Sequence, residues 1–199
     1  RIPENTDISR HGNTPFPTSY FSAASRYDYF GSYDESTGGG VVHVADHHIS
    51  PGKKMFTWAY DQLARTWEKA LTDTDGPYLE LMAGSYSDNQ PDLSWLAPYE
   101  EKRFSQYWYP ISDTGVPCFA NLDMAVSVHS DRVVIRPTGS FADCEITVSD
   151  ENREISREKT SLDVLCNHII ELTGDIVGEV RIVVKSAGKM LVDYTMMKP

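Results

Sequence analysis

One acidic residue, Glu80, lies within the otherwise apolar run PYLELMAG, which is typical of a β-strand. Because side chains alternate along a strand, the leucines and Ala83 share one face, while Tyr78, Glu80 and Met82 share the other. A carboxylate that is partly desolvated in a sugar or small-molecule cleft has a raised pKa and can act as a general base or acid. The alternative is a glutamate on the solvated face of an antiparallel sheet.

A polar and aromatic loop, SYSDNQPDLSW, follows this strand. Aromatic side chains stack on the apolar faces of sugar rings, and neighbouring amides and carboxylates hydrogen-bond the sugar hydroxyls. We therefore predict that Asp88, Asn89, Asp92 and Trp95 contact a sugar bound beside Glu80. Most other aromatic residues are expected in the core, including Trp67 and Trp108.

The segment HVADHH precedes the strand and carries adjacent histidines, His47 and His48. We expect these two side chains to point apart if the segment is a strand. A metal site needs ligands that converge from one face, which this spacing does not supply. The sequence therefore predicts no metal and no other cofactor. His47 and His48 are either further sugar contacts or ordinary loop histidines.

Composition narrows the class of partner. The chain of 199 residues has 18 basic and 29 acidic residues and a net charge of -11, so we expect neither nucleic acid nor a membrane as partner. Three cysteines without close spacing favour reduced thiols, which points towards the cytoplasm. The start of the sequence, RIPENTDISRHG, leaves the compartment open.

Aromatic residues divide the chain, because 19 of the 22 precede residue 113. We predict an all-β protein with domains at 1–112 and 113–199. The first domain includes one short helix near 60–72, where apolar residues recur at helical spacing. The second has seven short strand-like segments between turn signals, a pattern typical of an immunoglobulin-like β-sandwich.

A longer stretch of the first domain carries a resemblance to a known family: VVHVADHHISPGKKMFTWAYDQLARTWEKALTDTDGPYLELMAGSYSDNQPDLSWLAPYEEKRFSQYWYPI. It resembles an uncharacterised bacterial family whose galactose-mutarotase-like domain, of unknown function, is often followed by a small β domain and tetratricopeptide repeats. More distantly, SPGKKMFTW, YLELM and YSDNQPDLSW follow the order found in aldose 1-epimerases. The resemblance implies that Glu80 corresponds to the base that removes the anomeric proton. Met82 departs from the epimerase pattern, and no histidine here corresponds to the epimerases' acid.

This resemblance implies a fragment, the C-terminal half of a mutarotase-like supersandwich followed by the smaller sandwich. Half of such a sandwich exposes an open sheet, so we expect self-association or association with a missing N-terminal half. The predicted function is action on a sugar or oligosaccharide with Glu80 as general base or acid, in an epimerase-like isomerase or a glycoside hydrolase. The alternatives are a non-catalytic glycan-binding or scaffold module and an inactive fragment.

Overall fold

A computed structural model describes residues 5–173 and 176–197. Its elements in chain order are a 3-10 turn (His11–Asn13), β1 (Thr18–Phe21), β2 (Tyr29–Asp34), β3 (Gly39–Val44), β4 (Gly52–Thr57), α1 (Gln62–Leu71), β5 (Leu79–Gly84), β6 (Tyr107–Ser112), β7 (Phe119–Ala120), β8 (Met124–Val128), β9 (Arg132–Pro137), β10 (Phe141–Ser149), β11 (Glu154–Leu162), β12 (His168–Glu171), β13 (Glu179–Ser186) and β14 (Lys189–Met197). The strands form four antiparallel sheets, so the predicted all-β class is confirmed. Of the helices in the described ranges, none has the length and apolar character needed to cross a membrane.

Spatial contacts divide the chain into two compact units. The first comprises the described residues up to Tyr27 together with Ala45–Ser105. The second comprises Asp28–Val44 and the described residues from Gln106 onwards. The predicted boundary between residues 112 and 113 divides the sequence at a single point, whereas the second unit also includes an earlier segment of the chain. This boundary stays a prediction.

A three-stranded sheet with the order β1-β4-β5 forms the base of the first unit. β4 is the central strand, and the register places Phe56 opposite Glu80 on β5 and opposite Ser19 on β1. Directly opposed residues of an antiparallel pair point to the same face. This register therefore defines one face of the sheet, which carries Ser19, Phe56 and Glu80 and is called here the Glu80 face. It agrees with the predicted alternation of side chains in PYLELMAG.

The single α-helix of the described residues belongs to the same unit. The side chain of Asp61 accepts a hydrogen bond from the backbone N–H of Ala64 at 2.8 Å and so caps α1 at its start. The helix predicted near 60–72 is thus confirmed. Ala64 is its buried residue, whereas Leu63, Trp67 and Leu71 are each about half exposed.

The second unit contains three sheets. Two four-stranded sheets, ordered β11-β10-β13-β14 and β12-β9-β8-β7, contribute the side chains of one apolar core, as the layers of a sandwich do. Ile146 and Ile182 come from one sheet, and Val126 and Ile135 come from the other. The third sheet, β2-β3-β6, has a smaller apolar cluster.

One predicted strand of this unit is displaced along the chain. One of the seven strand-like segments was TSLDVLC, residues 160–166, but β11 ends at Leu162 and the chain then turns. The backbone N–H of Leu165 donates to the Asp163 side chain at 2.9 Å, and the N–H of Cys166 donates to the Asp163 carbonyl at 3.1 Å. β11 lies at the edge of its sheet, where polar residues are accommodated. The apolar residues of its sequence therefore did not reveal the full extent of the strand.

Candidate functional site

Glu80 lies half-buried on β5, an edge strand of the first unit's sheet. Tyr78 hydrogen-bonds to its carboxylate, and this bond is the main reason that the pKa of the Tyr78 phenol is raised above its ordinary value of 10.0. The phenol therefore donates to the ionised carboxylate. The bond links two side chains that strand alternation places on the same face.

Aromatic rings lie beside this pair. Phe56 stands opposite Glu80, and its ring meets that of Trp58 edge-on, with centroids 5.1 Å apart. Trp58 in turn stacks on Trp67 of α1 at 4.7 Å with an interplanar angle of 11°. Trp67 is 43% exposed, so its predicted place in the core is wrong. The helix places Trp67 over Trp58, so a stacked pair of indole rings lies next to Phe56 at one end of the Glu80 face.

A loop closes the opposite end of the face. Gly52 and Gly84 stand opposite each other where β4 begins and β5 ends, on the same face as Phe56 and Glu80. A Cβ atom on Gly52 would lie 2.7 Å from the carbonyl oxygen of Ser87, and one on Gly84 would lie 2.9 Å from it. The two glycines thus let the loop backbone lie directly on the sheet.

The predicted sugar contacts belong to this loop, and most have local partners. The Asn89 side-chain amide donates to the Met82 carbonyl at 3.2 Å, and the Asp92 side chain accepts from the backbone N–H of Asp88 at 2.9 Å. Asp88 and Asp92 are exposed, and the side chain of Trp95 is 85% exposed. The loop therefore offers carboxylates and an indole to solvent, while the Asn89 amide is engaged in holding its shape.

His47 and His48 lie in a turn rather than a strand. Their rings have centroids 3.9 Å apart, and the expectation that they point apart, which was made for a strand, does not apply to this turn. The strand β3 ends at Val44, and the backbone then turns around Asp46, whose side chain accepts from the backbone N–H of His48 at 2.9 Å. That bond, followed by the bond from the His48 ring, holds the pKa of Asp46 below its ordinary value.

The histidine turn adjoins the loop after β5. The backbone N–H of Tyr86 donates to the Ile49 carbonyl at 2.7 Å, and the hydroxyls of Ser50 and Ser85 are 2.9 Å apart. The turn and the loop thus form one cluster at the end of the sheet. Glu80 precedes Gly84 by four residues, which is about 13 Å along a strand. The predicted residues therefore fall into two groups, the carboxylate on the face and the polar set at its end.

The sequence comparisons bear on this same part of the chain. Residues 5–111 match the family described as "Domain of unknown function (DUF5107)". The chain belongs to this family. The DUF5107 match includes the Glu80 face, the histidine turn and the loop after β5, and it ends before the two four-stranded sheets. No solved structure matches the chain.

Sequence reasoning missed two contributors to the site within the DUF5107 segment. Phe56 lies on β4, whose sequence GKKMFT contains a glycine and two lysines and was not predicted as a strand. Trp67 was assigned to the core because it lies on the apolar stripe of the helix. The alternation of Lys54, Phe56 and Trp58 was the available signal for β4. A separate cavity of about 480 Å³ lies along α1, lined by Tyr60, Gln62, Arg65, Thr66 and Lys69, and Glu80 does not line it.

Proposed function

We propose that the DUF5107 segment binds a sugar or oligosaccharide on the Glu80 face. The observation that carries this proposal is the hydrogen-bonded pair of Glu80 and Tyr78 beside the ring of Phe56. Ionised carboxylates accept hydrogen bonds from sugar hydroxyls, while aromatic rings pack against sugar C–H groups. The stacked pair of Trp58 and Trp67 and the loop after β5 bound this face at its two ends, which supports a site with a defined length.

In the catalytic form of this proposal, Glu80 is a general base or acid. An epimerase-like isomerase needs a base at the anomeric hydroxyl and an acid at the ring oxygen. A glycoside hydrolase needs a second carboxylate at a suitable distance from the first. Tyr78 is the titratable group in hydrogen-bonding contact with Glu80, so its phenol is the nearest source of a proton. We propose either reaction for a longer parent protein, because the resemblance implies that this chain is a fragment.

A non-catalytic glycan-binding module is the second candidate. It is favoured by the position of His47 and His48, which lie in the cluster at the end of the sheet rather than beside Glu80. A histidine acid at the ring oxygen, as in the epimerases, would have to come from elsewhere. A binding module needs only the aromatic rings and the hydrogen-bonding pair.

The finer points of architecture and context also belong to this proposal. We propose a mutarotase-like relationship for the DUF5107 segment and an immunoglobulin-like arrangement for the two four-stranded sheets. The position of β5 at a sheet edge supports association with a further strand, from a second copy or from another part of the parent protein. The three free cysteines support a reducing compartment such as the cytoplasm.

The experiment compares Glu80→Gln with the unmodified protein, in this chain for binding and in the full-length parent for turnover. Calorimetric titration with a panel of monosaccharides and oligosaccharides measures affinity, and the exchange of anomers or the release of reducing ends measures turnover. We expect the variant to bind within a few-fold of the original affinity and to lose turnover. Glu171→Gln, on strand β12, serves as a matched control because it removes a strand glutamate from the other unit.

Three outcomes separate the candidates. Binding with turnover that Glu80→Gln abolishes supports the enzyme. Binding without turnover in both proteins supports the binding module. The absence of binding to every sugar in the panel would contradict the proposal, as would an equal loss of affinity in Glu171→Gln.

A further inference from the structure

The turn Asp46–His48 brings three metal-binding side chains together. A ligand atom from each of Asp46, His47 and His48 lies within 4.8 Å of the other two. The Nδ1 atom of His48 is 3.0 Å from Oδ1 of Asp46, and the centroids of the two imidazole rings are 3.9 Å apart. Two imidazoles and one carboxylate therefore converge within three consecutive residues.

This donor set suits a first-row divalent transition metal. Imidazole nitrogen and carboxylate oxygen bind Zn²⁺ at about 2.0–2.2 Å, and the donors around a tetrahedral ion are then about 3.3–3.5 Å apart. The 3.0 Å between Nδ1 of His48 and Oδ1 of Asp46 is slightly shorter than this separation, so these two atoms would move apart a little around an ion. The side chains of His48 and Asp46 are 78% and 57% exposed, so this small adjustment meets little resistance. The half-buried His47 has its ligand atom within 4.8 Å of both.

The backbone of the turn is formed independently of any ion. The amides of Ile49 and Ser50 both donate to the Asp46 carbonyl, at 3.1 and 2.8 Å. A ligand frame that is held before binding loses less conformational entropy when the ion arrives. The net charge of -11 also favours the approach of a cation.

We propose that Asp46, His47 and His48 form a binding site for a divalent transition metal of the zinc class. Three protein ligands leave at least one coordination position for water or a small ligand, as in open zinc sites. The site lies in the cluster at the end of the sheet, beside the loop after β5. It does not depend on Glu80 or on sugar binding.

The test is a calorimetric titration of the tag-free 199-residue protein with zinc chloride in a buffer that does not bind metals. A parallel titration with cobalt chloride reports coordination directly through its visible absorption. We expect one ion per chain. His48→Ala should weaken zinc binding by at least about tenfold, since even residues that only support metal ligands are worth 10–100-fold.

Two further variants make the assignment specific. Asp46→Asn keeps an oxygen that can accept from the His48 amide, and so preserves the turn, while it removes the charged ligand; we expect a similar loss of affinity. His168→Ala and Cys166→Ser are the matched controls, because His168 pairs with Glu158 at 2.8 Å and Cys166 is an exposed thiol. Neither control should change zinc affinity.

Zinc binding that survives His48→Ala and Asp46→Asn would overturn the proposal. So would a loss of binding in either control, or no binding by the unmodified chain. Circular dichroism and thermal unfolding of each variant establish that the variant is folded before its titration is interpreted.

Discussion

Tyr78, the residue before β5, donates a hydrogen bond to the carboxylate of Glu80, which lies two residues further along the chain. Strand alternation places the two side chains next to each other, and the bond then limits the orientations of the carboxylate. Phe56, directly opposite on β4, supplies an apolar surface on one side of this pair. A hydrogen-bond acceptor thus lies beside an aromatic ring, and the contribution of each residue can be tested separately.

The first prediction concerns the titration of Tyr78. Glu80 raises the pKa of the phenol above 10.0, so the stabilisation from this bond is complete below pH 10 and is lost as pH rises through the higher folded pKa. In Glu80→Gln the pKa of Tyr78 should fall towards its ordinary value. This pKa is measured from the absorbance of tyrosinate as pH rises. Subtracting the curve of the same protein with Tyr78→Phe isolates the contribution of Tyr78, both with Glu80 and with Glu80→Gln. Identical difference curves with and without Glu80 would show that the bond does not form.

The second prediction concerns the stacked indoles. Trp67→Ala removes the ring that lies at 4.7 Å over Trp58. We expect the free energy of unfolding to fall by about 0.5–1.5 kcal/mol in addition to the loss of buried area, with a small offset from the higher helix propensity of alanine. Denaturant unfolding measures this loss. Trp95→Ala is the control, because its side chain is 85% exposed and should leave stability unchanged. Equal stability losses in the two variants would argue against the stacking.

The third prediction concerns the close approach of the loop to the sheet. Gly84→Ala adds a Cβ atom 2.9 Å from the Ser87 carbonyl oxygen and 3.0 Å from the Asn89 nitrogen, both of them backbone atoms. We expect destabilisation of about 1–3 kcal/mol, because backbone must shift to relieve the contact. Thermal unfolding gives the value. At Gly12 nothing lies within 4 Å of the added atom, so Gly12→Ala should be nearly neutral. A neutral Gly84→Ala would mean that the loop does not rest on the sheet.

The fourth prediction concerns thiol reactivity. Burial raises the pKa of Cys118 to about 11. At pH 8 about one molecule in a thousand then carries this thiolate, the form that reacts. Iodoacetamide should therefore modify the exposed Cys166 first, with Cys118 and the buried Cys144 modified only after unfolding. Peptide mass spectrometry over time distinguishes the three. Rapid modification of Cys118 in the folded protein would contradict its burial.

The pattern of residue types predicted the class of fold well, for reasons visible in particular elements. Strict alternation identified β5, and the spacing of α1 with the capping Asp61 identified the helix. β4 was missed because its lysines and glycine resemble a turn, although it is the central strand of its sheet. Pairing with both neighbours outweighs the composition of such a strand, and pairing is a property of the whole fold.

The candidate site was predictable only in part. Glu80 and the loop carry local signals, whereas the register that places Phe56 opposite Glu80 joins residues 24 positions apart. The convergence of His47 and His48 depended on whether their segment is a strand or a turn. One residue of displacement reverses the face of a side chain, so a small error in element boundaries changes the predicted site completely.

The bond from Asn89 to the Met82 carbonyl has a consequence for assembly. β5 pairs with β4 on one side, and no strand of the described chain pairs with its other side. Strands of this kind recruit partners by completing their backbone hydrogen bonds. The Asn89 amide already donates to one backbone carbonyl of this strand, that of Met82, near the end of the strand at Gly84. A recruited strand would therefore dock along the half of β5 that carries Glu80, and it would form one border of the proposed sugar site.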